Sequence, residues 1–168
     1  SEQDLMRERC VKHLLQHLDF LRPLLLDDYS LVRVALARFE FFQSKVRPPD
    51  PPLSLGTYEM SIQEARKFFP TENPSFERLL VMMSTNTRVL GSRVVLLDIL
   101  TVLAILLRGS LEEKARYLFE WYNVSKTGVM TEVEHTNLIL RVASCFHKMK
   151  MIGILDMTED DAKHIALT

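Results

Sequence analysis

The sequence predicts an all-α protein, an array of three helix-loop-helix units with an extra N-terminal amphipathic helix. Apolar residues recur at intervals of three and four in one segment after another. Capping residues and prolines, not alternating β patterns, punctuate those segments. The order helix, connection, helix then occurs three times, with a period of about forty residues.

Composition narrows the function. With 168 residues, 47% of them hydrophobic, the chain can bury a genuine core. The 21 basic and 22 acidic residues leave a net charge of −1, so bulk electrostatics supports neither nucleic acid nor an anionic membrane as partner. Cys10 and Cys145 are the only cysteines. That usage fits a reducing intracellular compartment such as the cytoplasm better than a disulfide-stapled secreted scaffold. No signal-peptide pattern precedes the first polar residues. The longest apolar run, 94–107, is interrupted by Asp98 and falls short of the roughly 20 residues a membrane span needs.

The first element, within 1–27, is an amphipathic helix over about residues 4–26, with Met6, Cys10, Leu14, Leu18 and Leu21 on one stripe and Pro23 near its end. Cys10, His13 and His17 share a face compatible with a transition metal. No fourth ligand is identifiable, and ordinary helix-flank residues are the plainer reading. Residues 28–168 form the main domain, with units at 29–70, 73–108 and 110–147. Asp27, Asp28 and Ser30 offer capping oxygens to a helix over 31–44, whose core face is Leu31, Val34, Ala35, Arg38, Phe39 and Phe42. The connection 45–58 holds RPPDPP, which forms neither helix nor central strand. Arg47, Pro48 and Pro51 match a minimal ligand pattern for SH3-type grooves, although a stiff loop without a partner explains them as well.

Ser61 and Glu64 form a capping box before a short helix through Phe69, which Pro70 closes. Asn73 and Pro74 start a helix over 74–83, with Phe76, Leu79, Leu80 and Met83 facing inward. A loop over 87–98 has twelve residues but lacks an ion's ligands. Thr87, Val89 and Gly91 stand at its early positions, Ser92 replaces the glycine at six, and only Asp98 remains at twelve. Val94 at position eight suits a bridge to a neighbouring loop, and Asp98 begins an apolar helix through Leu107.

The third unit is the most informative. Ser110 and Glu113 fit a capping box, and Ala115, Leu118, Phe119 and Tyr122 form one apolar stripe. The loop 123–134 has the layout of a calcium loop, with Asn123, Ser125, Thr127 and Thr131 at positions one, three, five and nine. Gly128 stands at six, the Val129 carbonyl at seven, and Glu134 at twelve. Met130 at eight is apolar, as a loop-to-loop bridge requires. Asn123, Ser125, Thr127, Val129, Thr131 and Glu134 are therefore the candidate metal ligands. Glu134 alone is charged, so a loop kept for its shape is expected, with calcium at one weak site as the only cofactor considered. His135 occupies a place where an apolar core residue is usual. Finally, Thr158 with Glu159, Asp160 and Asp161 begins a further helix over 157–168. The reading expects a longer chain to continue it, the alternative being a partner that covers the third unit.

The run Ile105, Leu106, Leu107, Arg108, Gly109, leading into Leu111, Glu112, Glu113, Lys114 and then Tyr117, Leu118, Phe119, Glu120, resembles the EF-hand superfamily. Within that superfamily it is most similar to the neuronal calcium sensor and calaxin-like branch, over about residues 98–142. The resemblance implies an all-helical fold with a hydrophobic groove that holds a partner's amphipathic helix, in a setting such as a cytoskeletal or axonemal assembly. It does not carry over calcium, because the ligands of the first two loops are missing and those of the third are mostly neutral. The expected function is a non-catalytic interaction or scaffolding module, largely calcium-independent. The competing reading is a calcium-sensing regulatory domain that binds the ion weakly through 123–134 and shifts the helices around Trp121. An enzyme is not expected: His13, His17, His135, His147 and His164 have no nucleophile or carboxylate arrangement around them. Cys145 and His147, two apart on one helix, lie on different faces.

Overall fold

The computed structural model describes residues 29–45, 54–89 and 91–148. The expected N-terminal helix, most of the proline connection and the helix at 157–168 lie outside them. The described residues are mostly helical and divide into two compact units, 29–110 and 111–148. In order they form α1 (Ser30–Lys45), β1 (Glu59–Ser61), α2 (Ile62–Phe68), α3 (Pro74–Met83), β2 (Thr85–Thr87), β3 (Gly91–Val95), α4 (Leu96–Leu106), α5 (Leu111–Tyr122) and α6 (Glu132–Lys148).

The caps read from sequence start two of these helices. Ser61 Oγ accepts the Glu64 N–H at 3.1 Å, and Asn73 Oδ1 accepts the Ser75 N–H at 3.0 Å. Pro74 follows at a position where a missing N–H costs nothing. Arg66 on α2 then pairs bidentately with Glu77 on α3, at 2.6 and 3.0 Å.

The described residues agree with the coarse all-α expectation, with one addition. A three-stranded antiparallel sheet, ordered β1-β3-β2, lies where loops were expected. Met60 faces Val94, Glu59 faces Val95 and Ser61 faces Arg93, while Thr85 to Thr87 pair back onto Arg93 to Gly91. The 87–98 loop is thus largely a hairpin, turned with Gly91 at φ +73°. Strands of three to five residues carry too few alternations to register in an apolar pattern.

Helix α4 also begins two residues earlier than expected, at Leu96 instead of Asp98. Its N-cap, Val95, offers no side-chain bond. The preceding loop supplies acceptors instead, since Leu96 N–H donates to the Tyr58 carbonyl and Leu97 N–H to the Leu55 carbonyl, both at 3.0 Å. Every residue from Leu96 to Ala104 is buried, so α4 is covered on all sides, with α1 and α3 among the elements packed against it. Each such Leu, Ile or Val contributes about 1.5–3 kcal/mol by leaving water.

On α1 the buried face is Leu31, Val32, Ala35 and Phe39; Val32 joins it, whereas Arg38, expected in the core, is exposed and donates to the Lys67 carbonyl. An arginine can reach a free helix-end carbonyl more cheaply than it can be buried. The Tyr58 ring sits 5.5 Å from Phe39, 5.5 Å from Phe42 and 5.7 Å from Phe68. Burial, with Glu64 adding to it and Arg93 opposing, raises the Tyr58 pKa. Tyr29 is buried and its hydroxyl donates to the Ala104 carbonyl. Its ring lies so close over Gly109 that a Cβ there would come within 2.7 Å of Cδ2 and nearer still to Cε2.

In the 111–148 unit, α5 packs on α6, and Trp121, Tyr122, Ala143 and Cys145 are buried. Leu118, Leu138, Ile139, Leu140 and Val142 are only half-buried. Of the stripe expected on α5, Tyr122 is inside and Ala115 and Phe119 are exposed. The face turned inward comprises Trp121 and Tyr122 with half-buried Lys114, Tyr117 and Leu118, and the Tyr117 and Trp121 rings are 5.4 Å apart. Trp121 offers more apolar area to hide than Ala115 does.

Candidate functional site

The loop 123–134 brings its predicted oxygens together. Helix α5 ends at Tyr122, and the Asn123 N–H still donates to the Phe119 carbonyl at 2.9 Å. The chain then turns: Lys126 N–H donates to the Asn123 carbonyl at 3.0 Å, with Lys126 in the left-handed region at φ +54°. Gly128 follows at φ +81°, the conformation that its place in the loop requires. Helix α6 starts immediately afterwards under a reciprocal capping box. Thr131 Oγ1 accepts the Glu134 N–H at 3.1 Å, and Glu134 Oε1 accepts the Thr131 N–H at 3.0 Å.

Glu134 closes the loop as well as the helix end. Its Oε2 accepts the Ser125 N–H at 3.0 Å, so each carboxylate oxygen receives one main-chain donor. The Ser125 hydroxyl stands 3.2 Å from Asn123 Oδ1, from Thr127 Oγ1 and from both Glu134 oxygens. It has one proton to give among them. Thr127 Oγ1 donates to the Val129 carbonyl at 2.8 Å. Asn123 and Glu134 are buried, and Ser125, Thr127, Val129 and Thr131 are exposed. The N–H groups of Thr131 and Ser125 hold the Glu134 carboxyl below the ordinary glutamate value, against the opposing effect of burial.

This donor set fits a calcium ion poorly. Such an ion takes about 6–8 oxygens, with affinity set by ligand charge. Here five of the six candidates are neutral, and the one carboxylate is already engaged on both oxygens by the loop's own N–H groups. Among the described residues, no group of three or more His, Cys, Asp or Glu is placed to hold a metal. The Cys10, His13 and His17 stripe lies outside them. No helix among the described residues is long and apolar enough to cross a membrane.

Two residues of the 29–110 unit, Tyr58 and Met60, have roles that the sequence alone did not indicate. One is Tyr58, whose carbonyl caps α4 and whose ring joins the core. The other is Met60, which joins Val94 and Met130, already read as bridging residues, in standing four positions before an acidic residue, Glu64, Asp98 and Glu134 respectively. That spacing is visible in the sequence once the three loops are aligned on their acidic ends. Around the third loop, Val124, Val129 and Val133 are 76%, 70% and 69% exposed.

No protein-family model matches the chain, and neither the curated proteins nor the solved structures contain a match to it.

Proposed function

We propose that the chain is a non-catalytic, EF-hand-like interaction module that holds a partner's amphipathic helix against its apolar surfaces and works largely without calcium. The observation that carries this reading is the state of Glu134: the loop satisfies its single carboxylate internally, so its shape needs no ion. The sheet supports it from the other unit. Counted back from Glu64 and Asp98 as twelfth residues, Met60 and Val94 are both eighth, and they lie opposite each other as bridging residues do. In the first of those loops the sixth position, where glycine is usual, is taken by Tyr58. The half-buried Leu118, Leu138, Ile139, Leu140 and Val142 supply a face that an amphipathic helix can complete. A non-catalytic role agrees with Cys145 being buried while His147 is exposed.

Calorimetric titration with calcium tests the reading, followed by binding of a designed Leu/Lys amphipathic helix reported by Trp121 fluorescence. The expected results are no calcium heat up to about 1 mM, the weakest range in which such loops serve, and equal helix affinity in calcium and in chelator. Tight calcium binding, with helix affinity that depends on it, would establish the sensor reading instead.

A further inference from the structure

We infer that the hairpin of β2 and β3 is an attachment point for an anionic lipid surface, with Arg88 and Val89 at its tip set among the headgroups. This surface belongs to the 29–110 unit and is independent of the helix-binding role. The whole chain is nearly neutral, at −1, but residues 78–97 hold Arg78, Arg88 and Arg93 and no Asp or Glu. A local basic stretch is thus hidden in the balanced total. Arg78 and Arg88 are both exposed.

The tip is apolar where a turn is ordinarily polar. Thr87 pairs with Gly91, so the connection is three residues long and opens with Arg88 and Val89. Gly, Asn, Asp and Ser are the usual occupants of such turns. Val89 is 91% exposed, the most exposed large apolar side chain among the described residues. Val81 on α3, three residues after Arg78 and so on the same helix face, is 60% exposed. An exposed valine beside an exposed arginine therefore occurs twice, once on α3 and once at the tip. The base of the hairpin is fixed: β3 is the central strand of the sheet, and Arg93 Nη2 donates to the Glu59 carbonyl at 3.1 Å. A tip held out in this way meets a surface without paying to order itself first.

Charge complementarity selects the partner. Valine gains by leaving water at the boundary between headgroups and acyl chains, and an arginine next to it reaches a phosphate while its stem stays in apolar surroundings. A nucleic-acid backbone would match the arginines but leave Val89 in water. Each cation close to an anionic leaflet contributes about fivefold in affinity. Two or three cations with one apolar tip give a weak, salt-sensitive attachment, about a hundredfold below that of a single acyl chain.

The test is co-sedimentation of the whole chain with vesicles of phosphatidylserine and phosphatidylcholine in equal parts, against phosphatidylcholine alone. At about 5 mM lipid an attachment of that strength retains roughly a third of the protein. Binding is expected to the mixed vesicles only, and should vanish in about 1 M salt. Arg88→Glu should weaken it about tenfold, Val89→Asp by at least as much, and Val89→Leu should preserve it. Both positions are exposed, so the thermal transition should stay in place in all three variants. No binding to the mixed vesicles would overturn the inference, as would equal binding to both kinds. Retention unchanged by Val89→Asp would also overturn it, marking a surface for polyanions in general.

Discussion

In the 29–110 unit two loop strands lie side by side and α4 is covered all round; in the 111–148 unit Met130 has no main-chain partner among the described residues and α6 carries four half-exposed aliphatic side chains. The local design is shared, since in both a turn leads through an apolar residue into a capped or carbonyl-satisfied helix. Among the described residues, pairing is what differs. A single helix-loop-helix has one apolar face too many, and only a second such unit or a partner removes it from water.

The largest effect that sharpens this contrast comes from equivalent truncations. Leu103→Ala, inside α4, should lose about 2–5 kcal/mol in chemical denaturation, whereas Leu140→Ala on α6 should lose roughly 1 kcal/mol, in proportion to the smaller area it hides. Equal losses would mean that the two units are equally complete. Next, Gly109→Ala forces the Tyr29 ring from its seat and should cost about 1–3 kcal/mol. Thr131→Ala removes the α6 cap and should cost about 1 kcal/mol. The change should appear in Trp121 fluorescence, because that tryptophan is the only one and lies in the 111–148 unit.

A pH series separates the units more finely. The Glu134 pKa is lowered in the folded state, so its contribution is fully present above the ordinary value of 4.5 and is lost as pH falls through the folded value. The Trp121 transition should weaken in that acid window, and Glu134→Gln should lose that part of the dependence. The smallest expected change is Arg66→Ala. Its partner Glu77 has a lowered pKa from the hydrogen bond to Arg66, yet the pair is half-exposed and solvent screens it.

The helices were legible because caps and apolar periods are local. Ser61 and Asn73 each act within three residues, and the sequence shows both members; the Thr131 to Glu134 box is as local, but those residues were read as loop ligands. The loop oxygens were legible for the same reason. What the sequence hid were interactions decided across the chain: the Tyr58 carbonyl that starts α4, the Arg38 that leaves the core for Lys67, and the ladder that sets Met60 against Val94. Ala115 misled because helical spacing says which residues share a face but not which face wins burial. Trp121 decides that through its size.

Tyr58 has a longer reach than its contacts suggest. Placing glycine at position 58 would do more than loosen or tighten a turn. It would withdraw a ring that sits against Phe39, Phe42 and Phe68 and leave a void worth about 3–5 kcal/mol. That aromatic acts as a lock: any change that empties its seat becomes a loss of folding, whatever else it offers the turn.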